Sequence, residues 1–168
     1  MNYYLLQFAC VDPGLRHCGV ALFDKGDLYS AFLVRNPIES GRGYEVSASM
    51  GNAVVSSMHG YGESVIVEFP RIYPSAAQQK GDLNDLLDLA AVGGAIASRR
   101  VTETVFPSDW KGNVPKEVMT ERIRRALTDE ERARIEKCPA SLMHNVLDAV
   151  GIGLHKLNRI NRKVIHNG

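Results

Sequence analysis

The chain has 168 residues, is 45% hydrophobic and carries a formal net charge of +1 at pH 7. Such a length suits one domain with a sizeable core, spanning residues 1–168 and ending in a basic tail, and no apolar stretch approaches the roughly 20 residues that cross a bilayer. Three cysteines without zinc-type spacing exclude both a zinc module and a complete disulfide framework, and point to a reducing, cytoplasmic setting.

An apolar run, Leu5 to Val11, ends at Asp12, and Pro13-Gly14 forces a turn into a second β-prone run, Cys18 to Phe23. No charged leader precedes the first run, so no signal peptide is expected. The first strand is too continuously apolar for an edge and is expected at the centre of a sheet, covered on both sides. Asp24-Lys25-Gly26-Asp27 signals a hairpin turn, and Leu28 to Val34 completes a meander. A helix is expected from Tyr44 to Met58, with Val46, Met50, Val54 and Met58 as its buried stripe. The short run Val65 to Val67 is a fourth strand ending on a second acid, Glu68.

A helix capped by Asp82 follows to Ala97, and Val101 to Phe106 is the fifth strand. Pro107 to Lys116 reads as an exposed loop, and Glu117 to Leu127 as a helix. Thr128 and Glu131 match a capping box that opens a short helix to about Glu136. The last helix is expected from Ser141 to Asn158. This order gives an α/β fold: a central mixed five-stranded sheet with helices on both faces.

Acids at strand ends carry the functional signal. An acid in a buried run is costly without a partner, and Asp12 and Glu68 end strands that the element order places side by side, where such sheets bind ligands. The last helix adds Asp148, with His144 four residues and Asn145 three residues before it, so that all three share one face. Three carboxylates with a nitrogen or amide ligand suit two Mg²⁺ ions, with Mn²⁺ as substitute, better than zinc. Such a pair activates water against a phosphodiester. Asp12 would bridge the ions, and Asn145 or His144 would complete the site. Cys10 and Cys18 read as structural.

Together the segments VDPGLRHCGVALFD, VIVEFP and HNVLDAVGIGLH make the chain resemble the RuvC-type Holliday junction resolvases of the RNase H-like superfamily. The loop Ser108 to Lys116 looks more like phage-encoded members. The resemblance implies an RNase H-like fold, a homodimer, and paired metal-dependent nicks at four-way or branched DNA junctions. It carries Asp12, Glu68 and Asp148 over as metal ligands. At the place of the fourth ligand this chain has Asn145, and His144 is the substitute or a proton carrier for the attacking water. Lys111, Lys116 and Arg122 become candidate phosphate contacts, with Arg99, Arg100, Arg124 and Arg125 nearby in sequence. Trp110 is a candidate to stack on an unpaired base, or else a core anchor. Tyr73 and Phe69 stand where the family often contacts substrate or the second subunit, and packing on Pro70 and Pro74 is the competing account. The rivals are a sugar-kinase or actin-like ATPase, whose phosphate loop Asp12, Gly14 and Gly19 would satisfy, a RuvX-like nuclease acting on RNA, and a junction-binding protein with a weakened metal site.

Overall fold

The computed structural model describes residues 7–59, 61, 64–72 and 82–160. Leu5 and Leu6, Tyr73 with the loop around Pro74, and the basic tail beyond Ile160 lie outside them. Five strands form one sheet in the order β3-β2-β1-β4-β5: β1 (Gln7–Asp12), β2 (His17–Asp24), β3 (Asp27–Arg35), β4 (Ser64–Glu68) and β5 (Val101–Val105). The first three are antiparallel, and β4 and β5 run parallel to β1. β1 is therefore central, as its unbroken apolar run requires. The β2–β3 hairpin closes through Lys25 (φ 51°) and Gly26 (φ 90°), the two positive-φ positions that a tight right-twisted hairpin needs.

Alternation along the strands splits the core in two. Ala9, Val11, Cys18, Val20, Leu22, Val65 and Val67 face α1 (Tyr44–Ser57) and α2 (Leu83–Ala97), where Met50, Val54, Met58, Val92 and Ile96 meet them. The expected methionine stripe is thus core. Phe8, Cys10, Ala21, Phe23 and Ile66 face the other way, onto α6 (Met143–Lys156) and α4 (Lys116–Ala126). Asp82 caps α2 by accepting from the Asn84 N–H at 2.8 Å.

The capping box at α5 (Asp129–Ala133) forms, but the helix stops three residues short of Glu136 because the chain there joins β3 instead: Glu136 N–H donates to Ala31 O at 2.8 Å. That contact shields part of the β3 edge. Glu131, 3% exposed, also accepts from Leu28 N–H and from both terminal nitrogens of Arg159. Burial would raise its carboxyl, but these donors outweigh burial and hold it at about 2. The pair fastens the end of α6 to the hairpin.

The segment expected as an exposed loop is half helix. Pro107 opens α3 (Pro107–Trp110), and the Phe106 N–H closes its turn on the Asp109 carboxylate at 3.0 Å. The turn drives Trp110 inward to 2% exposure, against Gly151 of α6, where a Cβ would fall 2.5 Å from the indole. The indole is an anchor, and its burial rules out base stacking.

Candidate active site

Period-2 alternation decides which way the acids point. Phe8 and Cys10 face α6, so Asp12, next on that face, does too; in β4 the same holds for Glu68 after Ile66. The β1–β4 pairing runs up to Val11 beside Val67, which places the two acids next in line at the carboxyl ends of neighbouring parallel strands.

Gly19 brings the third acid in. It lies directly opposite Asp12 in the β1–β2 register. A Cβ there would come within 1.8 Å of the Asn145 carbonyl oxygen, so the first turn of α6 rests on bare backbone beside Asp12. One turn later comes Asp148, half-buried between Leu147 and Ala149. The turn between Asp12 and Gly19 is held by Cys18: the Gly14 N–H donates to its sulfur, and its thiol donates back to Gly14 O, both at 3.2 Å. Burial pushes that thiol up to about 12, which fits a structural part. Gly14 and Gly19, the glycines of the kinase-like pattern, both serve packing: a Cβ on Gly14 would meet His17 O at 2.2 Å.

Two residues outside the expected ligand set complete the cluster. The Trp110 indole N–H donates to Glu68 Oε2 at 2.6 Å. Lys111 Nζ lies 3.2 Å from Glu68 Oε2 and 3.1 Å from Asp148 Oδ2, and 4.7 Å from the Trp110 ring centroid. The Glu68 and Asp148 side chains are only 12% and 23% exposed, so little water screens this charge. Burial, then the charges of Glu68 and Asp148, hold the Asp12 carboxyl well above its ordinary range, while Lys111 and Lys116 pull it down. Glu68 is also raised, chiefly by burial, against the pull of Lys111 and Trp110. Burial alone would discharge Lys111, but Glu68, Asp148 and Asp12 outweigh it and keep the ammonium charged.

As the side chains stand, no three of the described histidine, cysteine, aspartate and glutamate residues enclose a place for an ion. Lys111 and Trp110 occupy the oxygens instead. Lys111 was legible as basic, but its position among the acids was not, because the segment's Pro and Gly content masks the turn of α3.

The remaining candidates divide. Lys116, exposed at the start of α4, is close enough for Asp12 to feel its charge. Arg122 is half-buried on α4, and Arg125 pairs with Glu121 at the surface. Arg99 and Arg100 precede β5, at the end of the sheet away from the acids, since Val101 pairs with Ser64 and Val105 with Glu68. Phe69 packs edge-on against Phe106, with ring centroids 6.3 Å apart. His144 and Asn145 make no side-chain hydrogen bond or ion pair to the acids among the described residues; the helix places them one turn before Asp148.

Among solved structures, the chain superposes on Thermus thermophilus RuvC in complex with a Holliday junction substrate with a TM-score of 0.54 and 17% identity. The match covers 90% of this chain and 93% of that one. A second Thermus thermophilus RuvC structure gives 0.55 at 19% identity, over 91% and 97% of the two chains. The yeast mitochondrial Holliday junction resolvase Ydc2 gives 0.53 at 8% identity, over 94% and 82%. The fold is RNase H-like. No protein-family model matches the sequence, and neither does any curated protein. Within this RNase H-like sheet the acids sit on the central strand, its parallel neighbour and the last helix. Among the described residues no helix is long and apolar enough to cross a membrane.

Proposed function

We propose that the chain is a metal-dependent endonuclease that cuts branched DNA at four-way junctions, acting as a homodimer in the cytoplasm. One observation carries the reading: Asp12, Glu68 and Asp148 converge with more negative charge than Lys111 neutralises, and burial, together with the charges of Glu68 and Asp148, holds the Asp12 carboxyl raised. Three carboxylates with surplus charge fit a hard divalent cation. Asp12, Glu68 and Asp148 would hold it, with His144 or Asn145 beside them. Mg²⁺ or Mn²⁺ bound there supplies Lewis-acid activation of water and of the phosphodiester.

The chain's own groups do the rest. Trp110 fixes the Glu68 carboxylate through one oxygen and excludes water behind it. Lys111 pairs with Glu68 and Asp148 where a cation would sit, and with an ion bound there its ammonium would be free for a phosphate oxygen. His144 is the imidazole on the helix face that carries Asp148. The substrate class follows the likeness to a RuvC solved on a Holliday junction. The test is Mg²⁺-dependent cleavage of a synthetic four-way junction, with RNA-containing junctions and ATP as counter-substrates. Junction binding without cutting at any divalent ion would demote the chain to a binding protein, and ATP hydrolysis would overturn the nuclease reading.

Two expected results belong here. Lys111→Met removes the competitor for the carboxylates, so Mn²⁺ should bind that variant more tightly than wild type by calorimetry. It should also raise the variant's melting temperature by more. Equal affinities would mean that the ammonium does not hold the ion's place. At limiting Mg²⁺, His144→Ala should slow cleavage by roughly tenfold or more, and Asn145→Ala by less, since the Asn145 backbone is what rests on Gly19. Rescue of His144→Ala by excess Mg²⁺ would identify a ligand, and a persistent defect a proton carrier. An undiminished rate would remove His144 from the site.

A further inference from the structure

A second group of charges lies at the same end and on the same face of the sheet as the acids. His17 and Arg35 are direct cross-strand partners in the β2–β3 register. Neighbours on their face, Ala21, Ala31 and Leu33, pack toward α6, as Asp12 and Glu68 do. β2 runs two residues past the pairing of Asp12 with Gly19 to reach His17. Two strand spacings and two residues of rise put Arg35 roughly 12 Å from Asp12.

Among the described residues the positive charge here, on Arg35 and Arg16, has no counter-ion. Arg35 is exposed and has no ion-pair or hydrogen-bond partner for its guanidinium among the described residues. Arg16 spends its guanidinium on two carbonyls, Ile38 O at 2.7 Å and Gly41 O, which leave its charge intact. The charges acting on His17 are Arg35 and Arg16, and with burial ahead of them they lower its pKa. Like charges gathered beside an acidic site, with no acid of their own, fit an anionic ligand that spans both.

We propose that His17 and Arg35 form a phosphate contact that holds the DNA strand running from the acids across the end of β2 and β3, away from the scissile bond. This rests on the nuclease reading and adds the path of the substrate. The contact positions and does not react, so it acts on binding and its salt dependence rather than on the chemical step.

The test is anisotropy of a fluorescent four-way junction titrated with protein in EDTA at several salt concentrations, beside single-turnover cleavage at saturating protein. Arg35→Gln should lower the slope of log affinity against log salt by about 0.9. It should weaken binding several-fold and leave the saturated cleavage rate within twofold. Arg35→Lys should restore the slope. His17→Ala should weaken binding further in the Gln background, and Arg99→Gln, at the far end of the sheet, should change nothing. An unchanged slope for Arg35→Gln with cleavage intact in wild type would overturn the contact and leave the nuclease standing. An equal loss in Arg99→Gln would also overturn it, as mere net charge. Wild-type protein that binds no DNA would overturn both.

Discussion

Replacing Asp12 with asparagine should abolish junction cleavage, by roughly three orders of magnitude or about 4 kcal/mol in the barrier, while junction affinity in EDTA stays within a few-fold of wild type. The substitution removes one carboxylate from the cluster and leaves every basic side chain in place. Its second signature is in stability. The fold raises the Asp12 carboxyl by burial and by the charges of Glu68 and Asp148. A carboxyl raised in this way subtracts stability at pH values above its ordinary range and none below it. Asparagine at position 12 should therefore melt at an equal or higher temperature than wild type at pH 7, and the difference should close toward about pH 4. Loss of activity together with a gain in stability separates a functional acid from a structural one. If the variant cleaves normally, the acid cluster is not the catalytic centre; if it melts earlier at neutral pH, Asp12 is instead a structural cap.

Gly19→Ala should be the most damaging single-methyl change near the site. The added Cβ would fall 1.8 Å from the Asn145 carbonyl and 2.8 Å from the Val146 nitrogen, both helix backbone that cannot swing aside. Overpacking of this kind costs about 3 kcal/mol, a drop of roughly 10 °C in melting temperature for a chain of this size. The helix must lift at its first turn, which carries Asp148 away from Glu68 and Lys111. A displacement of about 1 Å at a reacting centre can cost on the order of a hundredfold. Cleavage should fall by at least tenfold at a temperature where the variant is still folded by circular dichroism. Gly93→Ala, whose Cβ would meet only a Val67 methyl at 3.8 Å, is the control and should be nearly silent.

What could be read from the chain alone follows the range of the forces involved. The hairpin turn at Lys25-Gly26, the methionine stripe of α1, the Asp82 cap and the central place of β1 all depend on local chemistry or on simple periodicity. The neighbouring positions of Asp12 and Glu68 follow from strand order, and strand order follows from the handedness of the connections. The contacts of Trp110 and Lys111 with the acids escaped because nothing within ten residues reveals them: Glu68 is 42 positions from the indole and Asp148 is 37 from the ammonium. Arg99 and Arg100 were close to the other basic residues in sequence but face the wrong end, since the direction of β5 governs their place. Gly19 was visible only as part of a glycine pattern. Its true reason, a helix backbone pressed against it, is a tertiary contact that composition does not register.

The ammonium of Lys111 also bears on how the molecule comes into being. Domains whose ligands repel one another until an ion arrives are unfolded without it, and chelators take them apart. Here the chain supplies its own positive charge between Glu68 and Asp148, from a segment already anchored by a buried indole. The acidic end of the sheet can therefore close during synthesis whatever the supply of divalent ions. On the metal-dependent reading proposed above, assembly and loading would be separate events, and withdrawal of the ion would leave the core standing.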